Sequence, residues 1–202
     1  MAKLLLATTN RGKTREYYEL LSGVPFELVT LADVGIDIAV DEEGTSLEEN
    51  ARLKAMSYAN LSHLVTLADD SGLEVDALGG EPGIRSARFA GDNASDKDKV
   101  ERLLSRLKEV PWENRTARFR CVIAIATLGG RTELCYGECR GLITFEPKGD
   151  GGFGYDPVFY LPEFGKTMAG LPLEIKNQIS HRGRAAQEAR RLLEQFVEKA
   201  KS

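Results

Sequence analysis

The chain opens on an apolar run, Leu4 to Ala7, that Thr8, Thr9 and Asn10 end at once. This predicts a buried strand over 3–7, a polar turn over 8–12, and a helix from Lys13 to about Leu21, stopped near Gly23. A second extended stretch at 26–31 leads into an acidic loop holding Asp37, Asp41, Glu42, Glu43 and Gly44. Ser46 and Glu49 fit a capping box, which predicts a helix to about Asn60. The apolar run at 64–68 meets Asp69, Asp70, Ser71 and Gly72, all common turn formers, so a strand is predicted to stop there at a functional loop. Ser95 and Asp98 have the spacing of a further cap, for a helix to about Lys108 that Pro111 ends. The β pattern at 117–127, the Gly129-Gly130 pair and the run at 132–139 predict a hairpin, with a separate strand at 142–145. Glycines dominate 149–154, 158–160 is extended, and Ser180 is predicted to cap a long amphipathic helix to about Lys199.

Strands and helices interleave early and the middle is hairpin-like. The fold class predicted is therefore α/β, a mixed sheet with flanking helices rather than an all-parallel one. No repeat or long linker divides the chain, so one domain, two-lobed at most, is expected over 1–202.

Composition adds limits. With 42% hydrophobic and 29% charged residues over 202 positions, the chain is ordinary globular protein. A net charge of -4 gives no overall positive field for a nucleic-acid backbone, so no nucleic-acid partner is expected, and any polyanion must be met by local cations. Cys121, Cys135 and Cys139 lie in apolar stretches without metal-site spacing and are predicted to be buried, reduced thiols. The first apolar run is too short for a signal peptide or membrane span, so a cytoplasmic protein with no membrane partner is expected.

Four stretches could carry chemistry. Thr8-Thr9-Asn10-Arg11-Gly12-Lys13 stands at a strand-to-helix turn, where backbone N–H groups, the helix dipole and Lys13 can all address phosphate. Gly12-Lys13-Thr14 matches the end of a Walker A loop, but that motif needs glycine where Ala7 stands, and an ordinary βα turn remains open. Asp69 and Asp70 put two carboxylates directly after a buried strand. Magnesium keeps much of its water, so one or two carboxylates plus substrate phosphates make a sufficient site. Phe153 and Tyr155, among the glycines of 151–157, could stack on a base where backbone approaches a ligand. Lys176, His181 and Arg182 gather two cations and an imidazole at a predicted helix start, against the dipole. By spacing alone Glu42, in its acidic loop, and Lys54, one turn after Asn50 on a helix, read as solvated.

Taken in order, T-T-N-R-G-K, E-E-G-T-S-L-E-E-N-A with Lys54, A-D-D-S-G-L, P-G-I-R-S-A-R, G-G-F-G-Y-D-P-V-F and K-N-Q-I-S-H-R resemble the inosine/xanthosine triphosphate pyrophosphatase family over nearly the whole chain. The resemblance implies an elongated mixed sheet with flanking helices, two lobes around a nucleotide cleft, and a homodimer. It implies hydrolysis of dITP, ITP and XTP to the monophosphate and pyrophosphate with Mg2+. Carried over by position, Thr8, Thr9, Asn10, Arg11, Gly12 and Lys13 bind the triphosphate, with Ser71 a further substrate contact. Glu42 and Asp70 hold magnesium, and Lys54 reaches the phosphates. Asp69 and Asp70 flank the attacking water, with Asp70 the chosen general base. Phe153, Gly154, Tyr155 and Asp156 frame the base, and Lys176, His181 and Arg182 read its polar edge. Glu42 is selected over Glu43 because it stands two before Gly44, as the family pattern requires. Two other classes use the same residues. A P-loop ATPase or GTPase would take Lys13 as phosphate lysine and Asp69 or Asp70 for magnesium, and a nucleotide sensor would bind without cutting.

Overall fold

The computed structural model describes residues 2–40 and 43–199, with side chains through 196. The described residues form seven strands in one sheet, ordered β2-β1-β3-β4-β5-β6-β7. The strands are β1 (Ala2–Leu6), β2 (Phe26–Thr30), β3 (Val65–Val75), β4 (Thr116–Ala126), β5 (Thr132–Ile143), β6 (Phe159–Leu161) and β7 (Lys166–Thr167). The helices are α1 (Arg11–Leu20), α2 (Leu47–Ser62), α3 (Asp96–Arg106), α4 (Leu173–Ile179) and α5 (His181–Lys199). β1 runs parallel to both β2 and β3, whereas β5, β6 and β7 pair antiparallel, so the sheet is mixed as expected. A turn over 127–131 joins β4 to its neighbour β5, and so short a connection permits only a hairpin.

The chain divides into two compact units, the first holding Met1–Asp70, Cys121–Gly137 and Arg182–Ser202, the second Ser71–Arg120 and Glu138–His181. In the first, the strands are covered on both faces, which is why β1 reads as an unbroken apolar run. Leu4, Leu6, Leu67, Cys121 and Ile123 pack on Tyr17 of α1, on Leu21 at its C-cap, and on Ala185, Ala189 and Leu193 of α5. The alternate residues Leu5, Ala68, Val122 and Ala124 pack on Leu47, Ala51, Ala55 and Tyr58 of α2. The second unit closes its own core from Leu73, Val75, Leu103, Phe119, Tyr155 and Phe159. There Arg115 is buried, and its guanidinium donates to the carbonyls of Leu107, Val110 and Thr144.

Four local expectations are corrected. β3 does not stop at Ala68 but runs on through Asp69, Asp70, Ser71 and Gly72 to Val75. The turn-forming residue types yield because the strand continues as a sheet member and the first unit supplies cations for both carboxylates. The stretch at 142–145 adds no separate strand, since β5 runs unbroken to Ile143. α1 begins at Arg11, so Gly12 and Lys13 lie inside the helix rather than at its edge. Lys176 belongs to a separate short helix, α4, whose C-cap is Ser180, and not to the start of α5.

Candidate active site

In the first unit, α1 starts where Asn10 accepts the Lys13 backbone N–H at 3.0 Å on its side-chain oxygen, and Thr8 accepts the Asn10 N–H at 3.2 Å. The turn is thus fixed by its own side chains. Four residues, 7–10, separate β1 from α1, and Gly12 is helical, so there is no glycine-rich loop to wrap phosphates and the P-loop reading finds no support. Thr8, Thr9 and Arg11 line an open cavity of about 990 Å3 along the outer side of α1, with Arg15 and Tyr18. Lys13 faces the other way, into the unit.

Successive strand residues point to opposite faces, and this separates the two carboxylates. Asp69 follows the parity of Leu67 and points to the α1 and α5 side. Asp70 follows Ala68 and points to the α2 side. Asp69 is 1% exposed, with Lys13 Nζ 3.0 Å from one oxygen and Arg182 Nε 3.2 Å from the other. Arg182 also reaches Glu16 at 2.7 Å through Nη1. Burial alone would raise the proton affinity of Asp69, but Lys13, Arg182 and Lys54 outweigh it and hold the carboxyl well below the usual range. Cys121 Sγ lies 3.7 Å from the same carboxylate, and burial, then the Asp69 charge, push its thiol up to about 12, so it stays neutral.

On the opposite face, Asp70 is 7% exposed and accepts the Asn50 amide at 3.1 Å, with Lys54 Nζ 3.6 Å away. Lys54 donates to the Asp69 carbonyl at 2.6 Å. Lys54 is not the solvated helical lysine that spacing suggests, being only 9% exposed. Asn50 in turn accepts the Gly44 N–H at 2.8 Å, and a side chain at Gly44 would meet that same oxygen at 2.5 Å. The acidic loop is thereby tied to α2. The Asp70 carboxylate is a hard oxygen donor of the kind magnesium takes, and a minimal site of this kind leaves most ligands to water and phosphate. Among the described residues no group of three His, Cys, Asp or Glu gathers into a fuller metal site. Glu42, the second expected ligand, lies outside the described residues.

The second unit holds the aromatic loop. Asp156, buried, accepts the Phe153 N–H at 2.9 Å and pairs with Lys176 at 2.5 Å, and the Lys176 ammonium lies 5.0 Å from the Phe153 ring centre. Gly152 permits this: its φ is +71°, and a Cβ there would come within 2.0 Å of Asp156 Oδ2. The Gly154 N–H donates to Asp96 at 2.7 Å. Tyr155 does not present its ring to a ligand: it is 4% exposed in the core, and its hydroxyl donates to the Ser86 carbonyl. His181 is buried and stacks on Phe119 with ring centres 4.6 Å apart. Lys176 and His181 therefore share a unit, whereas the Arg182 guanidinium goes to Asp69 and Glu16 in the other. Ser71 is half-buried on β3.

Glu16, Asn50 and Cys121 are site neighbours that sequence reasoning did not select. The signal for Glu16 was present: positions 13, 16, 17, 20 and 21 form one helical stripe, and the acid stands on its buried side.

The Ham1 family profile matches residues 4–192. A dITP/XTP pyrophosphatase of Geobacter sulfurreducens is 53% identical over 185 residues, which cover 92% of this chain and 93% of the relative. A HAM1 protein of Coxiella burnetii superposes with a TM-score of 0.87 at 37% identity, covering 96% of this chain and 98% of its own. The Ham1 protein of Staphylococcus aureus gives 0.85 at 40% identity, covering 96% and 99%.

Proposed function

The chain belongs to the Ham1 family, and from that premise we propose that it is a pyrophosphatase hydrolysing dITP, ITP and XTP to the monophosphate and pyrophosphate. The observation that carries the reading is β3 itself, which sets two buried carboxylates side by side in sequence and gives each its own lysine, Lys13 or Lys54. Paired carboxylates and lysines suit an attack by water on a phosphorus whose oxygens gain negative charge.

Asp70 is the general base. Asp69, pressed by three cations, accepts a proton poorly, so the choice between the two falls on Asp70. Thr8, Thr9, Asn10, Arg11, Gly12 and Lys13 bind the triphosphate with Ser71, and Lys54 stabilises charge on the phosphoryl oxygens. Asp70 with Glu42 would hold Mg2+, which when bound supplies positive charge at the phosphates and the leaving group. Phe153, Gly154, Tyr155 and Asp156 form the base end, Phe153 offering a ring and Tyr155 supporting the loop from the core. We assign the purine 6-oxygen to Lys176 and His181 first. Arg182, committed to Asp69 and Glu16, stands further from that role. Lysine donates only, so the amino group of adenine would face donor against donor.

The three cysteines are buried and free, which supports a reducing compartment such as the cytoplasm, and no helix among the described residues is long and apolar enough to cross a membrane. A homodimer completes the reading on family grounds, to be checked by sedimentation.

The test is a panel of ITP, XTP, GTP and ATP, assayed for pyrophosphate with and without magnesium. The expectation is magnesium-dependent pyrophosphate release with kcat/KM for ITP and XTP above that for ATP by up to about 10⁴-fold. Release of inorganic phosphate, or equal rates with ATP, would overturn it.

A further inference from the structure

Glu16 is a buried carboxylate that no step above uses. It is 3% exposed, beside Tyr17 on the inner face of α1, and its Oε2 accepts Arg182 Nη1 at 2.7 Å. Burying a carboxylate costs free energy that an ion pair often only offsets, and an apolar or amide residue of similar size would fill the space. The charge itself therefore calls for an explanation.

The geometry of Asp69 provides it. Its two oxygens are divided, Oδ1 to Lys13 and Oδ2 to Arg182 Nε. A guanidinium beside a carboxylate prefers the bidentate fork that takes both oxygens. Glu16 Oε2 meets Arg182 through Nη1 while Nε meets Asp69 Oδ2, so that Arg182 spans two carboxylates. The second oxygen of Asp69 is left for Lys13. The four charges alternate, Glu16, Arg182, Asp69, Lys13, and cancel. Resting on the pyrophosphatase reading, we propose that Glu16 is a positioning residue, which by holding Arg182 to a single oxygen of Asp69 keeps Lys13 aimed at the substrate phosphates.

Glu16→Gln keeps shape and removes charge. Two effects then oppose each other and can be separated. The site gains one net positive charge, which by itself tightens binding of a polyanion and lowers KM. Loss of positioning lets Arg182 claim both oxygens and displaces Lys13, which lowers kcat. The proposal expects kcat for ITP to fall at least tenfold with KM unchanged or lower, and Glu16→Asp, which retains the charge, to recover at least a third of the loss on a logarithmic scale. Because Glu16 acts through Arg182, adding Glu16→Gln to Arg182→Ala should slow turnover no further. Circular dichroism and thermal melts accompany every variant. If Glu16→Gln does not fold, Glu16→Asp and the double variant, in which no buried charge is left unpaired by the pair's removal, carry the test. A kcat within twofold of wild type, or effects that multiply in the double variant, overturns the proposal while wild-type pyrophosphate release leaves the reading standing. A wild-type protein that releases no pyrophosphate from any triphosphate overturns both.

Discussion

The two units secure their functional side chains by different means. In the first, Asp69 serves two cations, and Arg182 passes the arrangement on to Glu16, so each charge depends on the others. In the second, Asp156 meets Lys176 and the Phe153 N–H, and the arrangement depends on whether a glycine lets the loop close over it. The first arrangement is built from charge and the second from backbone shape. Charge suits a reaction in which negative charge grows, since preorganised cations gain as it develops. Shape suits the choice among purines that differ in an exocyclic group. Charge substitutions should therefore break the first unit and steric ones the second.

The largest effects should fall on the two neighbouring carboxylates, and they should differ in kind. Asp70→Asn keeps a contact with Asn50 and removes the charge that the proposed general base needs, so turnover should fall at least about 100-fold with little change in melting temperature. Asp69→Asn leaves buried Arg182 and half-buried Lys13 short of a counter-charge. That should cost about 3 kcal/mol, which for a chain of this size lowers the melting temperature by about 6–12 °C, besides slowing turnover. The sign of its pH dependence follows from the depressed proton affinity of Asp69. A carboxyl whose folded pKa lies below its unfolded one contributes stability above the unfolded value, about 3.9, and loses it as pH falls toward the folded one. The gap in melting temperature between wild type and Asp69→Asn should be full at pH 7 and narrow below about pH 5. A gap that widens in acid would show Asp69 to be buried neutral, and would remove the charge network from the account.

The same contrast explains what could be read in advance. The mixed sheet, the first strand and the caps at Ser46 and Ser95 followed from local patterns, because each is decided by neighbours within a turn or two. The continuation of β3 through Asp69 to Gly72 was hidden, since those residue types favour turns unless distant cations meet them, and Arg182 is more than a hundred positions away. Lys54 read as solvated by spacing and as a phosphate contact only through the family resemblance, and Glu16 was legible only as a charge in an otherwise buried helical stripe. α4 escaped because Lys176 to Arg182 looks like one helix start, whereas Ser180 ends one helix directly before the next. Glu16's partner set belongs to the tertiary fold, and no spacing rule contains it.

A smaller effect is expected from Gly152→Ala. Its Cβ would fall 2.0 Å from Asp156 Oδ2, in a backbone conformation that disfavours side chains. Asp156 must give way, and its ion pair with Lys176 is disturbed. Selectivity, the ratio of kcat/KM for ITP to that for ATP, should drop at least about tenfold. The melting temperature should fall by only a few degrees, consistent with about 1–2 kcal/mol of strain. If turnover of ITP collapses and selectivity survives, the loop serves the reaction rather than the choice of base.

The smallest change isolates function from stability. Asn10 caps α1 in the first unit by accepting the Lys13 N–H, and Ser95 caps α3 in the second by accepting the Asp98 N–H at 3.2 Å. Replacing either by Ala removes one helix cap, worth about 1 kcal/mol, and should lower the melting temperature by about 2–4 °C. The two losses should be nearly equal, since each cap satisfies one orphan donor at a helix start. Their consequences for turnover should not be. The α1 cap sets the first turn, and with it the backbone N–H groups beside Lys13, at the end proposed to bind phosphate. The α3 cap orders a helix whose nearest tie to the aromatic loop is Asp96 with the Gly154 N–H. Asn10→Ala should slow pyrophosphate release at least about tenfold, as one lost oriented donor does elsewhere, while Ser95→Ala stays within about twofold, as expected of a change that touches stability alone. Equal slowing would mean that turnover follows helix stability in both units, and the proposed phosphate site would then owe nothing special to the geometry of the first turn of α1.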